Sequence, residues 1–111
     1  MPQNNFKSVG AAIADGGGAI VYGPVGSGKE AVVHSIYVSN VDGTNSANVD
    51  IKVRNTSSDT YRHVAKGIPV PAGSSLVLDK PIDLAATGDI HMEASVSGDL
   101  ETNLGILEIT L

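Results

Sequence analysis

The feature that most constrains this chain is a period of two. Between closely spaced glycines and prolines, apolar residues recur at alternate positions, and no stretch sustains the three-and-four spacing of an amphipathic helix. Ala47 to Asn55 is the cleanest segment. Val49, Ile51 and Val53 point one way there, and Asp50, Lys52 and Arg54 the other. Ile90, Met92, Ala94 and Val96 alternate with His91, Glu93 and Ser95, and Leu107, Ile109 and Leu111 with Glu108 and Thr110. A chain patterned in this way buries one face of each strand, so sheets must pack on sheets.

Further strands are expected at Phe6–Ile13, Ala19–Tyr22, Thr60–Lys66 and Ser75–Leu78. Val32, His34, Ile36 and Val38 are read as sharing a face, with apolar Val33 and Tyr37 on the other. The run Leu104-Gly105-Ile106 breaks the C-terminal parity and points to a bulge at Gly105. Ile82 to Thr87 has room for one helical turn. Pro24, Pro69, Pro71 and Pro81 are placed between strands, where a missing N–H is harmless. The expected fold is all-β: a single antiparallel β-sandwich of about eight strands, jelly-roll or immunoglobulin-like. Residues 1–111 form one domain in this reading, with a short polar N-terminal arm at about residues 1–5.

Composition narrows the function classes. The 111 residues contain no Cys, which excludes disulfides, Cys-ligated zinc and a thiol nucleophile. Seven Lys plus Arg against twelve Asp plus Glu give a net charge of −5, the wrong sign for a nucleic-acid-binding domain. No window approaches eighteen uninterrupted apolar residues, so no membrane partner is expected. Met1-Pro2-Gln3-Asn4-Asn5 lacks the basic start of a signal peptide.

Several motifs could carry chemistry. Gly23-Pro24-Val25-Gly26-Ser27-Gly28-Lys29 fits G-x-x-x-x-G-K, the pattern of a phosphate-binding loop. The position after Lys29 should offer a hydroxyl to Mg²⁺ but holds Glu30. The residues after it, Ala31 to Val38, are β-branched and alternating instead of helical. Pro24-Val25-Gly26-Ser27 also recurs as Pro71-Ala72-Gly73-Ser74 before another apolar strand. Gly23, Gly28 and Lys29 are therefore read as a turn that imitates a P-loop, and no cofactor is expected. His34, His63 and His91 have no metal-ligand spacing. Alternation turns His91 outward and the other two inward. Asn40, Asp42, Thr44 and Asn45 supply oxygens in one loop but miss the EF-hand order, so a strand connection is the better reading. No catalytic constellation emerges.

Four of the seven basic residues, Lys52, Arg54, Arg62 and Lys66, fall in one expected hairpin joined through Ser57-Ser58-Asp59. Pairing Val53 with His63 and Ile51 with Ala65 puts Arg54 opposite Arg62 and Asp50 opposite Lys66. Like charges directly opposite are unfavourable unless something anionic compensates. Such a face is either solvated, guarding against edge-to-edge aggregation, or a contact patch for an acidic partner surface. Phe6, the only Phe, has two readings as well: an anchor for a neighbour at the base of the arm, or a core residue of the first strand.

With strands and turns placed, the chain resembles the small all-β virion structural proteins of tailed bacteriophages. The resemblance runs through Phe6-Lys7-Ser8-Val9-Gly10-Ala11-Ala12, Ala19-Ile20-Val21-Tyr22, Val32 to Asn40, Ile68 to Leu76 and Leu107-Glu108-Ile109. It implies a non-enzymatic structural role. A capsid decoration (cement) protein comes first, with a neck or tail accessory or host-glycan-binding module as the alternative. It implies a homo-oligomer, with a trimer favoured, and as partner the major capsid protein or another virion protein. The location implied is the virion, after synthesis in the host cytoplasm.

Overall fold

The alternating segments become nine strands, and no helix is present among residues 3–111, which the computed structural model describes. In chain order these are β1 (Gln3–Ala12), β2 (Ala19–Tyr22), β3 (Lys29–Asn40), β4 (Ala47–Arg54) and β5 (Arg62–Val70). β6 (Ser75–Leu78), β7 (Ile82–Leu84), β8 (Asp89–Ala94) and β9 (Leu100–Thr110) complete the set. One sheet, called A, has the order β1-β9-β3-β6, with β7 also on β3. The other, called B, has the order β2-β8-β4-β5. All pairs are antiparallel.

This order separates the two candidate sandwich folds. β1 pairs with β9, β2 with β8, β3 with β6 and β7, and β4 with β5. The chain is thus one long hairpin, rolled so that successive rungs fall alternately in the two sheets. That is a jelly roll, with β6 and β7 as two pieces of a single strand position interrupted at Asp79-Lys80-Pro81.

The core lies between the inner faces. Sheet A contributes Val33, Ile36, Val38, Leu100, Leu104 and Ile106, and sheet B contributes Val49, Ile51, Ile90, Met92 and Val70. Each fully buried side chain of this size is worth about 1.5–3 kcal/mol relative to exposure. Ile13 and Val25, from the connections before β2 and β3, plug the two ends. The sandwich is elongated, 50 × 26 × 20 Å, because β1, β3 and β9 run ten to twelve residues.

Five expectations change. The segment Ile82 to Thr87 is not a helical turn: Ile82–Leu84 pair with β3, and the turn follows them. Pro69 lies inside β5, where it is tolerated because β5 is an edge strand. In β3 the inward residues are Ala31, Val33, Ile36 and Val38, so Val32 and His34 do not share the face of Ile36. The extra residue that flips the parity is His34, between the pairs Val33↔Ile106 and Ser35↔Gly105. The bulge therefore sits at the level of Gly105 but on the partner strand, and β9 runs without interruption against β1. Lastly, the expected arm is strand from Gln3 onward, with Gln3, Asn4 and Asn5 opposite Thr110, Ile109 and Glu108. Met1 and Pro2 lie outside the described residues.

Candidate functional surface

The loop that fits the phosphate-binding pattern joins β2 to β3, and no helix opens behind it. Part of its backbone is engaged within the fold. Val25, 3% exposed, donates its N–H to Gly88 O and accepts from Thr87 N–H, while Lys29 N–H donates to Gly26 O. Gly23, at φ +108°, sits so close to Gly88 and Asp89 that a Cβ would fall 2.6 Å from Asp89 Cβ. Gly23, Gly28 and Lys29 lie in a turn that leads into strand β3, with Gly23 packed against Gly88 and Asp89.

The histidines do not converge, and among the described residues no group of three or more His, Asp and Glu could hold a metal ion. His34 and His63 are exposed, against the expectation that they face inward. The bulge turns His34 out, and His63 opposes the outward Lys52. His91 is on the outer face as expected. It is covered by Tyr61, ring centroids 5.6 Å apart, and its Nδ1 is buried without a partner. Burial first, and then the nearby Lys52 charge, hold its pKa below the usual imidazole value. Asn40 organises the oxygen-rich loop. It donates to Asn45 O and Val70 O and accepts from Asp42 N–H, while Asp42 accepts from Thr44 N–H and Asn45 Nδ2. The loop is folded on itself as a strand connection.

The basic hairpin is rearranged by two bulges in β5. Ile51 opposes Ala65 as expected, but Val53 opposes Arg62 and Lys52 opposes His63, so Arg54 and Arg62 are not paired. Val64 is the extra residue of one bulge. At the other, Gly67 at φ +60° donates its N–H to Asp50 Oδ1 at 2.6 Å, so Asp50 is not matched to Lys66. Arg54 opposes Asp89, which is fully buried. Its Nη2 donates to Asp89 Oδ2 at 2.9 Å, its Nη1 to Ser57 O at 3.2 Å, and the guanidinium lies 4.6 Å from the Tyr61 ring centroid. Arg62 is 3.6 Å from Asp59 at an exposed position. The like-charge opposition that marked this hairpin as a contact patch is absent. Lys52 and Lys66 remain on the surface as separate cations, Lys52 beside Tyr61.

A different contrast replaces it, between the outer faces of the two sheets. On sheet B the outer rows carry the ionisable groups: Arg54 over the fully buried Asp89, then His63–Lys52–His91 ending at Ile20, then Asp50–Glu93. On sheet A the rows are Phe6–Leu107–Val32, Ser8–Gly105–Ser35, Gly10–Asn103–Tyr37–Val77 and Ala12–Glu101–Ser39–Ser75. The strands of that face hold no outward Lys or Arg, and their acids, Glu30, Asp83 and Glu101, stand near its margins. Phe6 is 75% exposed here, which rules out its core reading; Tyr37 and Val77 are about half exposed. Sequence reading missed this face because it counted charges per hairpin, whereas β1, β9 and β3 come from opposite ends of the chain.

One further polar contact ties the sheets together. Tyr22 of β2 donates to Glu108 Oε2 of β9 at 2.6 Å, and Lys7 of β1 donates to the same oxygen at 3.2 Å. The phenol, with Lys7 beside it, holds the Glu108 carboxyl below its ordinary range. Burial and this carboxylate push the Tyr22 phenol well up.

No protein-family model matches the chain, and no curated protein sequence matches it either. Solved structures are similar to it in fold. A chain in the structure of infectious bursal disease virus Gx strain superposes with a TM-score of 0.55 at 12% identity, over 100% of this chain and 32% of that one. This chain thus spans about a third of that chain's length. A chain in the acidic stable capsid structure of Helicobacter pylori bacteriophage KHP30 superposes with a TM-score of 0.52 at 14% identity. It covers 98% of this chain and 93% of the phage chain. The likeness is one of fold: a β-sandwich shared with chains of viral particles.

Proposed function

We propose that this chain is a non-enzymatic virion structural protein that binds the assembled head of a phage and stabilises it as a decoration protein. The observation that carries this reading is the near-complete mutual coverage with a chain in a phage capsid structure. That match covers 98% of this chain and 93% of the phage chain. The contact surface in this reading is the outer face of sheet A. Burying the ionic rows of sheet B would strip water from several charges, which costs several kcal/mol per ion. The central rows of sheet A carry no charge and can be covered without that cost. The acids at its margins call for an apolar capsid surface with a basic rim.

The mechanism is mass action. A protein that binds the intact shell in preference to its separated subunits stabilises the shell. The test is to add purified protein to capsids assembled without it. Saturable binding that raises the disruption temperature is the expected result, and a head-wide distribution of labelled protein follows from it. Absence of saturable binding, or label confined to a unique vertex or the tail, would overturn the decoration reading.

A further inference from the structure

A two-sheet jelly roll leaves four sheet edges, and each exposes backbone N–H and C=O groups that can pair with another strand. Three of these edges are obstructed. β2 is four residues long. β5 carries Arg62, Lys66, Pro69 and two bulges. The β6–β7 edge is two short pieces divided by Asp79-Lys80-Pro81. The fourth edge, β1, is different. It is ten residues long, pairs with β9 at every position without a register shift, and contains no proline. Its one charge, Lys7, is on the inner side, bound to Glu108. On the other flank β1 has no hydrogen-bonded strand neighbour among the described residues.

We propose that this free edge pairs antiparallel with β1 of a second copy, about a twofold axis at Ser8, joining the two A sheets into one. The register follows from the side chains. A twofold axis normal to the sheet keeps outer residues opposite outer residues, so the pair numbers must sum to an even value. Centring the axis on Lys7 would set two lysines opposite each other, which is unfavourable. Centring it on Ser8 puts Ser8 opposite Ser8, Phe6 opposite Gly10, and Asn4 opposite Ala12. Phe6, 75% exposed in the single chain, then lies across Gly10 of the other copy, which has no side chain there, and the contact is made twice by symmetry. On the inner side Lys7 falls opposite Val9 and stays clear of the second Lys7.

This pairing gives a dimer in place of the trimer that the family resemblance implies. It also places the two uncharged outer faces side by side on the same surface. The inference stands on the strand edges alone and does not require the capsid-binding reading, so the two can fail separately.

The chain has no cysteine, so a single one can report the register. Residues directly opposite in an antiparallel pair have Cα atoms about 4.5–5.5 Å apart, within disulfide range. Ser8→Cys is expected to form a disulfide-linked dimer on mild oxidation, and Ala12→Cys, which faces Asn4, is not. Light scattering of the unmodified protein is expected to give twice the 11.3 kDa chain mass at high concentration. Ser8→Asp, which sets two carboxylates face to face on the axis but stays solvated in the single chain, should give a folded monomer with an unchanged circular dichroism spectrum. A wild-type protein that is monomeric or trimeric throughout would overturn the proposal. So would equal cross-linking of Ser8→Cys and Ala12→Cys, or a Ser8→Asp variant that remains dimeric.

Discussion

Alanine substitutions in the Gly23–Lys29 loop distinguish a packing turn from a phosphate-binding loop. At Gly23 two costs add. The residue sits at φ +108°, where an L side chain is strained by about 1–3 kcal/mol. Its new Cβ would also lie 2.6 Å from Asp89 Cβ, 2.7 Å from Gly88 O and 2.9 Å from Asp89 Cα. Backbone atoms held by β8 and by the Val25–Gly88 hydrogen bond cannot move aside freely, so overpacking contributes a further ~1–3 kcal/mol. The gain from a less flexible unfolded chain offsets only about 0.4–1 kcal/mol of this. Gly23→Ala is therefore expected to destabilise by roughly 1–5 kcal/mol, with a central value of about 3 kcal/mol. Gly28, at φ +74° with nothing within 4 Å of an added methyl, meets the left-handed strain alone, so Gly28→Ala should cost about 1 kcal/mol. Lys29→Ala should fall within ~0.5 kcal/mol of the parent. Urea denaturation at constant m-value measures the series. In thermal scans each kcal/mol is worth about 4 °C for a domain of this size. Near-equal effects of Gly23→Ala and Gly28→Ala would refute the packing argument. A Mg-ATP-induced thermal shift abolished by Lys29→Ala would refute the reading of the loop as a turn.

Three further outcomes follow from the sandwich. Leu104→Ala, which empties a fully buried site at the centre of β9, should cost about 3–5 kcal/mol in urea denaturation, whereas Phe6→Ala in the monomeric Ser8→Asp background should cost less than ~0.5 kcal/mol. Tyr22→Phe removes a charge-assisted hydrogen bond and should cost about 1.5 kcal/mol at neutral pH. Because Glu108 titrates below its ordinary value in the fold, its contribution is complete above about pH 4.5 and lost as pH falls through the lower folded value. The Tyr22→Phe penalty should therefore shrink in acid, and a penalty independent of pH would count against the clamp. His91 titrates below the ordinary imidazole value of 6.5, so its contribution is complete above that pH and lost as pH falls through the depressed folded value. Denaturation curves from pH 8 to pH 5 should show this loss in the parent and less of it in His91→Leu.

Much of this fold was legible because burial in a sandwich has the same period as the strand. Val49, Ile51 and Val53 in β4 and Ile90, Met92 and Ala94 in β8 are inward as the alternation required. The reading failed where one residue is inserted. A single bulge at His34 shifts the inward set of β3 from Val32 to Val33, and in β5 the bulge at Val64 separates Arg54 from Arg62 while the one at Gly67 separates Asp50 from Lys66. One extra residue exchanges the faces of everything beyond it, and only the partner strand reveals it. The Pro/Gly turns were legible for a local reason. Lys29 N–H to Gly26 O and Ser74 N–H to Pro71 O each close a turn within four residues, so no distant information was needed, although the first turn lies two residues beyond the echoed Pro24–Ser27. The outer face of sheet A was not legible, since it joins β1 to β9 from opposite ends of the chain.

The low charge content of the chain acquires a location from this topology. In sheet B, Arg54 is matched to Asp89, Lys52 and His91 share the cover of Tyr61, and Asp50, which stands opposite Glu93, accepts from Gly67 N–H. Those groups are already committed, and covering them with a partner would strip their remaining water without supplying new counter-charges. In sheet A the central rows contain Ser8, Gly10, Gly105, Ser35 and Asn103, flanked by Phe6, Leu107 and Val32 at one end and by Tyr37 and Val77 at the other. The outward His34 ring lies over Gly105 in the middle of this face, while Ser8 and Gly10 beside it leave room for another surface to approach closely. The unobstructed edge of β1 borders this same face. Pairing through β1 would therefore double the uncharged area presented to a third body, so self-association and docking reinforce each other through avidity and do not compete for one surface.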